Sequence, residues 1–126
     1  MAGELAPDRR GTTAVEFALV APLLFALLLG VLELGRLIWV DAALDHALAG
    51  AARCAGAAGP PCRRALGQEL GRGLARLGVT DVVPRLTRTP APCGTEVEAR
   101  LAYPPLVPAL WPSRPILSAR ACLAAA

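Results

Sequence analysis

One carboxylate interrupts a long apolar stretch near the N-terminus. From Gly11 to Leu32 the chain reads GTTAVEFALVAPLLFALLLGVL, and Glu16 is its single charge. An ionised carboxylate at the centre of a bilayer costs on the order of 2.5–3.5 kcal/mol on insertion scales, so such a residue ordinarily has a partner and a task. Its flank is equally specific in residue type: Arg9-Arg10 stands immediately before the stretch, whose first residue, Gly11, is five positions ahead of the acid. A carboxylate so placed can pair with a cation inside an assembly, or it can reach the membrane interface and have no further role. Gly11 can mark a cleavage point or a flexible joint.

The remaining chemistry-bearing residues are few. His46 is the only histidine and stands beside Asp45. No Ser or Cys nucleophile is placed near it by sequence, so it reads as a surface residue rather than a catalytic base. The four cysteines, Cys54, Cys62, Cys93 and Cys122, contain no pair at the short spacing that zinc sites use, which favours disulfides over a metal. Three connectivities are open. We favour Cys54–Cys62, closing a helix end onto a turn, and Cys93–Cys122, joining two strands. Alternation puts Cys93 on an apolar strand face and Cys122 on the face of Arg120, so that second pairing calls for a bulge. No Gly-rich phosphate loop, carboxylate pair or ligand cluster accompanies these residues, and neither an enzyme nor a cofactor is expected.

Positioning them falls to a chain of 126 residues, long enough for one small domain. Its hydrophobic fraction of 55% with only 18% charged residues argues against intrinsic disorder. Every basic residue is Arg; they are scattered and no aromatics interleave with them, which argues against nucleic acid as a partner. An apolar helix needs about 20 residues to cross a hydrocarbon layer of roughly 30 Å. The uncharged run from Phe17 to Leu32 approaches that, and it suffices if Glu16 sits near one membrane face or is paired. A buried helix of a soluble protein is the other reading, but no later segment has the apolar surface to surround it. A cleaved secretory signal fits less well, because the run is long, contains Glu16 and Pro22, and continues into further helical sequence. Arg9 and Arg10 before the run place the N-terminus in the cytoplasm by the positive-inside rule. The four cysteines then fall on the exported, oxidising side.

From Glu33 to Ala58 apolar residues recur at helical spacing without Pro. Leu34, Leu37, Ile38 and Leu44 alternate with Arg36, Asp41 and Asp45 in an amphipathic pattern. Trp39 suits a membrane interface. Ala43, Ala47, Ala51 and Ala55 recur every fourth residue, either as a seam for another helix or simply because Ala is the best helix former. A continuous helix from about Thr13 to Ala57 is expected. Within it Pro22 leaves the carbonyl of Ala18 without its amide partner, a bend that serves helix packing or one without a role. Gly59-Pro60-Pro61 ends the helix. A second helix is predicted over Arg63–Leu77, where Leu66, Leu70, Leu74 and Leu77 form one stripe and Gly67, Gly71 and Gly73 weaken it. Thr95–Tyr103 alternates as a half-buried strand, with Val79–Leu86 and Ile116–Leu123 as weaker candidates. The fold expected is α+β: a long N-terminal helix, a short helix and a small antiparallel meander, with the Pro-rich segment Pro104–Pro115 as a surface loop.

Arg9-Arg10-Gly11, the acid at the fifth position after it and the following Phe17 resemble the processing site of type IV prepilins. Glu16-Phe17 followed by Ala-Leu-Val-Ala-Pro-Leu-Leu, then Gly30, Glu33, Gly35-Arg36 and Ala51-Ala52-Arg53, is similar to the TadE-like pseudopilins of tight-adherence (Tad) pilus systems. The resemblance spans about residues 9–55. It implies that a prepilin peptidase, a membrane aspartyl protease, cuts after Gly11 on the cytoplasmic side. Cleavage creates a new α-amino group at Thr12, about one helical turn before Glu16, and the two can pair within or between subunits. It also removes Arg9 and Arg10, which otherwise hold the N-terminus at the cytoplasmic face.

The expected organisation is a leader at 1–11, a transmembrane helix at 12–32, an extracytoplasmic helix extension at 33–58 and an exported head at 59–126. The expected protein sits in a bacterial inner membrane with its C-terminal region periplasmic. It is a minor pilin or pseudopilin whose partners are the prepilin peptidase, other pilin subunits, an inner-membrane assembly platform and the lipid bilayer. The alternatives are an uncleaved, single-span periplasmic adaptor and a pseudopilin of a related envelope machine.

Overall fold

The computed structural model describes residues 9–57, 59–80 and 82–123, without the side chains of Arg9 and Arg10. The first eight residues of the expected leader lie outside the described residues. Three helices and three strands follow in the order α1 (Arg9–Ala57), α2 (Pro60–Arg64), α3 (Leu66–Arg76), β1 (Arg85–Ala91), β2 (Gly94–Ala102) and β3 (Ile116–Leu123), with one 3-10 turn at Pro108–Leu110. The chain divides into two compact units, residues 1–34 and 35–126. The α+β class with a long N-terminal helix and a small antiparallel sheet is as expected.

In the second unit the apolar residues of α1 recur on one helical face. Val40, Ala43, Leu44, Ala47, Leu48, Ala51 and Ala55 are all buried. This is the three-and-four spacing that keeps side chains on one side of a 3.6-residue helix. Leu66, Leu70 and Leu74 of α3 meet them, and the sheet adds Val97, Ala99, Leu101, Leu117, Ala119 and Leu123, together with Tyr103 just past β2. The Ala stripe is a packing seam as well as good helix sequence. A Cβ added at Gly73 of α3 would lie 3.0 Å from the Cβ of Ala47 and 3.3 Å from its Cα, a tight contact that α1 would have to yield to by a few tenths of an ångström. Gly73 weakens α3 locally but lets its backbone reach α1.

The sheet is a meander with strand order β1-β2-β3. Thr95 pairs with Leu123 and Ala102 with Ile116 across the second hairpin, while Ala91 pairs with Gly94 across a two-residue turn in the first. Along β2, Val97, Ala99 and Leu101 are buried and Glu98 and Arg100 lie on the other face, following the strand period of two. On that outer face Arg100 holds Glu98 through Nε at 3.1 Å and Nη2 at 3.2 Å. Arg120 of β3 stands 3.7 Å from Glu98 and 3.9 Å from Glu96. The hydrogen bond from Arg100 holds the Glu98 carboxyl below its ordinary value, opposed by desolvation and helped by the charges of Arg100 and Arg120 and a hydrogen bond from Arg120.

Several boundaries differ from the sequence expectation. Helix α1 begins at Arg9 rather than Thr13, since nothing from Arg9 to Thr12 forbids helical backbone. The helix expected over Arg63–Leu77 is two: Pro60 and Pro61 open α2 at its first positions, where a missing N–H costs nothing, and the chain leaves α-helix at Ala65 before α3. Gly59, at φ 68°, makes the turn between α1 and α2 in a conformation that favours glycine. The strand expected over Val79–Leu86 is displaced to Arg85–Ala91, because the ladder begins only after Pro84. Pro90 within it is tolerated since β1 is an edge strand. Leu34 and Ile38 are exposed rather than on the buried face, because the seam that begins at Val40 points elsewhere around the helix.

Candidate functional site

The segment singled out for function is the N-terminal part of α1. From Phe17 to Leu34 its large apolar side chains are exposed, including Phe17 at 71%, Leu19 at 75% and Leu23 at 73%. Among the described residues α1 is the one helix long and apolar enough to cross a membrane. An apolar helix without a protein neighbour needs another apolar solvent.

Helical geometry assigns the named residues their positions. Thr12 and Glu16 are separated by four residues on one helix and so share a face, about one turn apart. Gly11 and Glu16 are both exposed, and a Cβ added at Gly11 would meet no atom within 4 Å. Among the described residues nothing in the packing therefore calls for glycine there. The backbone from Arg9 through Gly11 is helical. Pro22 lies inside α1, which continues through it.

The cysteines stand at the far end of α1 and on the sheet. Cys54 joins Cys62 across 5.8 Å between Cα atoms, linking the last turns of α1 to α2. Cys93 joins Cys122 across 6.3 Å. The bulge expected for that second pair is not what accommodates it. Cys93 sits in the two-residue turn between β1 and β2, outside the strand alternation, and Cys122 is opposite Glu96 on the outer face.

His46 is exposed and borders a groove with Glu69, Arg72 and Arg76 of α3, where Arg72 is paired with Glu69. Sequence reasoning had no means of joining those helices at that point. It also passed over contacts made by the first turns of the second unit. Arg36 donates from Nη1 to the carbonyl of Pro104 at 2.7 Å, and its guanidinium lies over the Tyr103 ring, 5.4 Å from the centroid. Trp39, expected at a membrane interface, donates its indole N–H to the carbonyl of Leu77 at 3.3 Å. These partners are far apart in sequence, and only the alternation that aims Tyr103 inward hinted at one of them.

No curated protein and no solved structure matches the chain. Residues 11–53 match the family model described as TadE-like protein. The match begins at Gly11, takes in Glu16 and Pro22, and ends one residue before Cys54. Over this segment, about a third of its length, the chain is similar to TadE-like proteins.

Proposed function

We propose that the chain is a minor pilin or pseudopilin of a Tad-type pilus, anchored in the bacterial inner membrane by α1 with its C-terminal unit exported. The observation that carries this reading is a TadE-like segment starting at Gly11, with Glu16 on an exposed apolar helix that has only a bilayer or other helices to cover it. A prepilin peptidase cuts between Gly11 and Thr12. The freed amine, largely protonated at neutral pH, pairs with Glu16 of the same or a neighbouring subunit. Loss of Arg9 and Arg10 lets the helix leave the bilayer for an assembly built with other pilins on an inner-membrane platform. The protein's work on this reading is structural.

Expression with and without a prepilin peptidase, followed by mass spectrometry of the N-terminus, tests this. The expected product with peptidase begins at Thr12, and Gly11→Arg yields only full-length chain although its side chain has room. Full-length wild-type chain beside an active peptidase defeats the proposal. Glu16→Ala is expected to insert and be cut normally yet fail to assemble, read as loss of the protein from sheared or membrane-extracted pilus material.

The second reading, an uncleaved periplasmic adaptor, draws on the helical backbone at Arg9–Gly11. A protease must unwind that turn before its catalytic groups reach the bond, whereas a permanent anchor leaves it folded.

A further inference from the structure

Among the described residues of the second unit, the exposed large apolar side chains are Ile38, Trp39, Val83, Leu106, Leu110 and Ile116. They come from four separate stretches of chain, and residues adjoining each stretch meet around Arg36. Arg36 ties Pro104 and Tyr103 to the first turn of this part of α1. The Tyr103 N–H donates to Pro115 at 2.9 Å, which brings both ends of the Pro-rich loop, and Ile116 after it, to the same place. Gly78, Val79, Thr80 and Val82 border a small cavity with Arg36, Trp39 and Pro104, which places Val83 beside them. The residues around the two disulfides and the Pro92-Cys93 turn expose no large apolar side chain among the described residues.

Exposed large apolar side chains carried by neighbouring stretches mark a candidate interaction surface. The chain itself selects the occupant. Arg36 follows Leu32, the last residue of the apolar run, by about one helical turn. The residues clustered on Arg36 therefore follow the apolar run directly along α1. Arg36, Arg76 and Arg114 adjoin these stretches in sequence, as do Glu33 and Asp41, and Asp81 lies outside the described residues. Apolar side chains interleaved with arginines and indoles match the boundary between headgroups and acyl chains. A second copy of the chain would also cover apolar surface, but covalent continuity with the apolar helix operates in every copy, assembled or not.

We infer that this end of the head is a bilayer-contacting surface: Leu106 and Leu110 of the Pro-rich loop, with Val83 and Ile38, dip into the extracytoplasmic leaflet while the arginines meet lipid phosphates. The inference rests on reading α1 as a membrane span. It gives the loop a task that the pilus reading leaves open, which is to hold the head against the membrane until the subunit is withdrawn.

The full chain, reconstituted in phosphatidylethanolamine–phosphatidylglycerol vesicles containing a lipid brominated near the head of its acyl chains, provides the test. Both native tryptophans are replaced by Phe and one reporter is installed at a time: Phe25→Trp for the span, Leu106→Trp or Leu110→Trp for the loop, and Thr89→Trp on β1. Bromolipid is expected to cause loss of emission from the reporters at 25, 106 and 110, and none from the one at 89. If the reporters at 106 and 110 are as unquenched as that at 89 while the one at 25 is quenched, the loop surface is wrong and the span stands. Shielding of 106 that grows with the protein-to-lipid ratio, without bromine quenching, assigns the patch to a second copy and overturns the proposal. An unquenched reporter at 25 removes the span, and the surface with it.

Discussion

Residues 11–32 and residues 40–55 belong to one helix and draw on the same stock of alanine and leucine, yet they meet opposite environments. In the first stretch the apolar residues run continuously around the helix, and almost every one is exposed. In the second they are spaced by three and four, and that face is buried to 5% exposure or less while Asp41, Asp45 and His46 stay outside. An all-round apolar helix needs an apolar solvent; a one-sided one needs only a partner layer. Composition separates the two stretches by their charges, one in the first against Asp41, Asp45 and Arg53 in the second, and periodicity shows which face of the second is buried.

That contrast can be broken in order of expected effect. Leu44→Ala removes a fully buried side chain and should cost the head about 2–5 kcal/mol, measured by urea unfolding of the detergent-solubilised chain. Leu24→Ala, at 51% exposure, should leave the same transition unmoved. Equal losses from the two variants would erase the distinction between the stretches.

A finer contrast lies within α3. Gly71→Ala places a Cβ where no atom stands within 4 Å and should stabilise the head by roughly 0.5–1 kcal/mol through helix propensity. Gly73→Ala drives its Cβ against Ala47 and should instead lower the midpoint, offsetting any propensity gain by overpacking of about 1–3 kcal/mol. A stabilised Gly73→Ala variant would mean that α3 can stand off from the alanine seam.

The smallest expected effect is electrostatic and confined to the outer sheet face. Because the Glu98 carboxyl is held below its ordinary value of 4.5, its ion pairs contribute fully above that value, and the contribution is lost as pH falls through the lowered one. Glu98→Gln should therefore be less stable than wild type near neutrality and converge with it in acid. A difference that persists in strong acid would assign the effect to packing rather than charge. The exposed setting keeps it small.

How far these features were legible depends on the range over which each is decided. Glu16, Gly11 and the arginine pair stand out because a charge or a glycine in an apolar run is visible within a single helical turn. The strand Thr95–Tyr103 is read by counting in twos, and β2 covers nearly the same residues, Gly94–Ala102. Arg85–Ala91 was misplaced because a short edge strand rich in Arg and Thr has no buried alternation to announce it. The break at Ala65 was missed because no residue there forbids continued helix.

Local pattern alone determined that this chain has one long apolar helix, an amphipathic continuation and an alternating strand, since backbone sterics and side-chain period act over a few residues. Tertiary structure decided that Gly73 serves as a contact rather than a weakness, that Cys93 escapes its strand face by sitting in a turn, and that Arg36 gathers the Pro-rich loop. Those outcomes depend on which distant backbones approach within a few ångströms. Close packing settles them only once all the layers are in place.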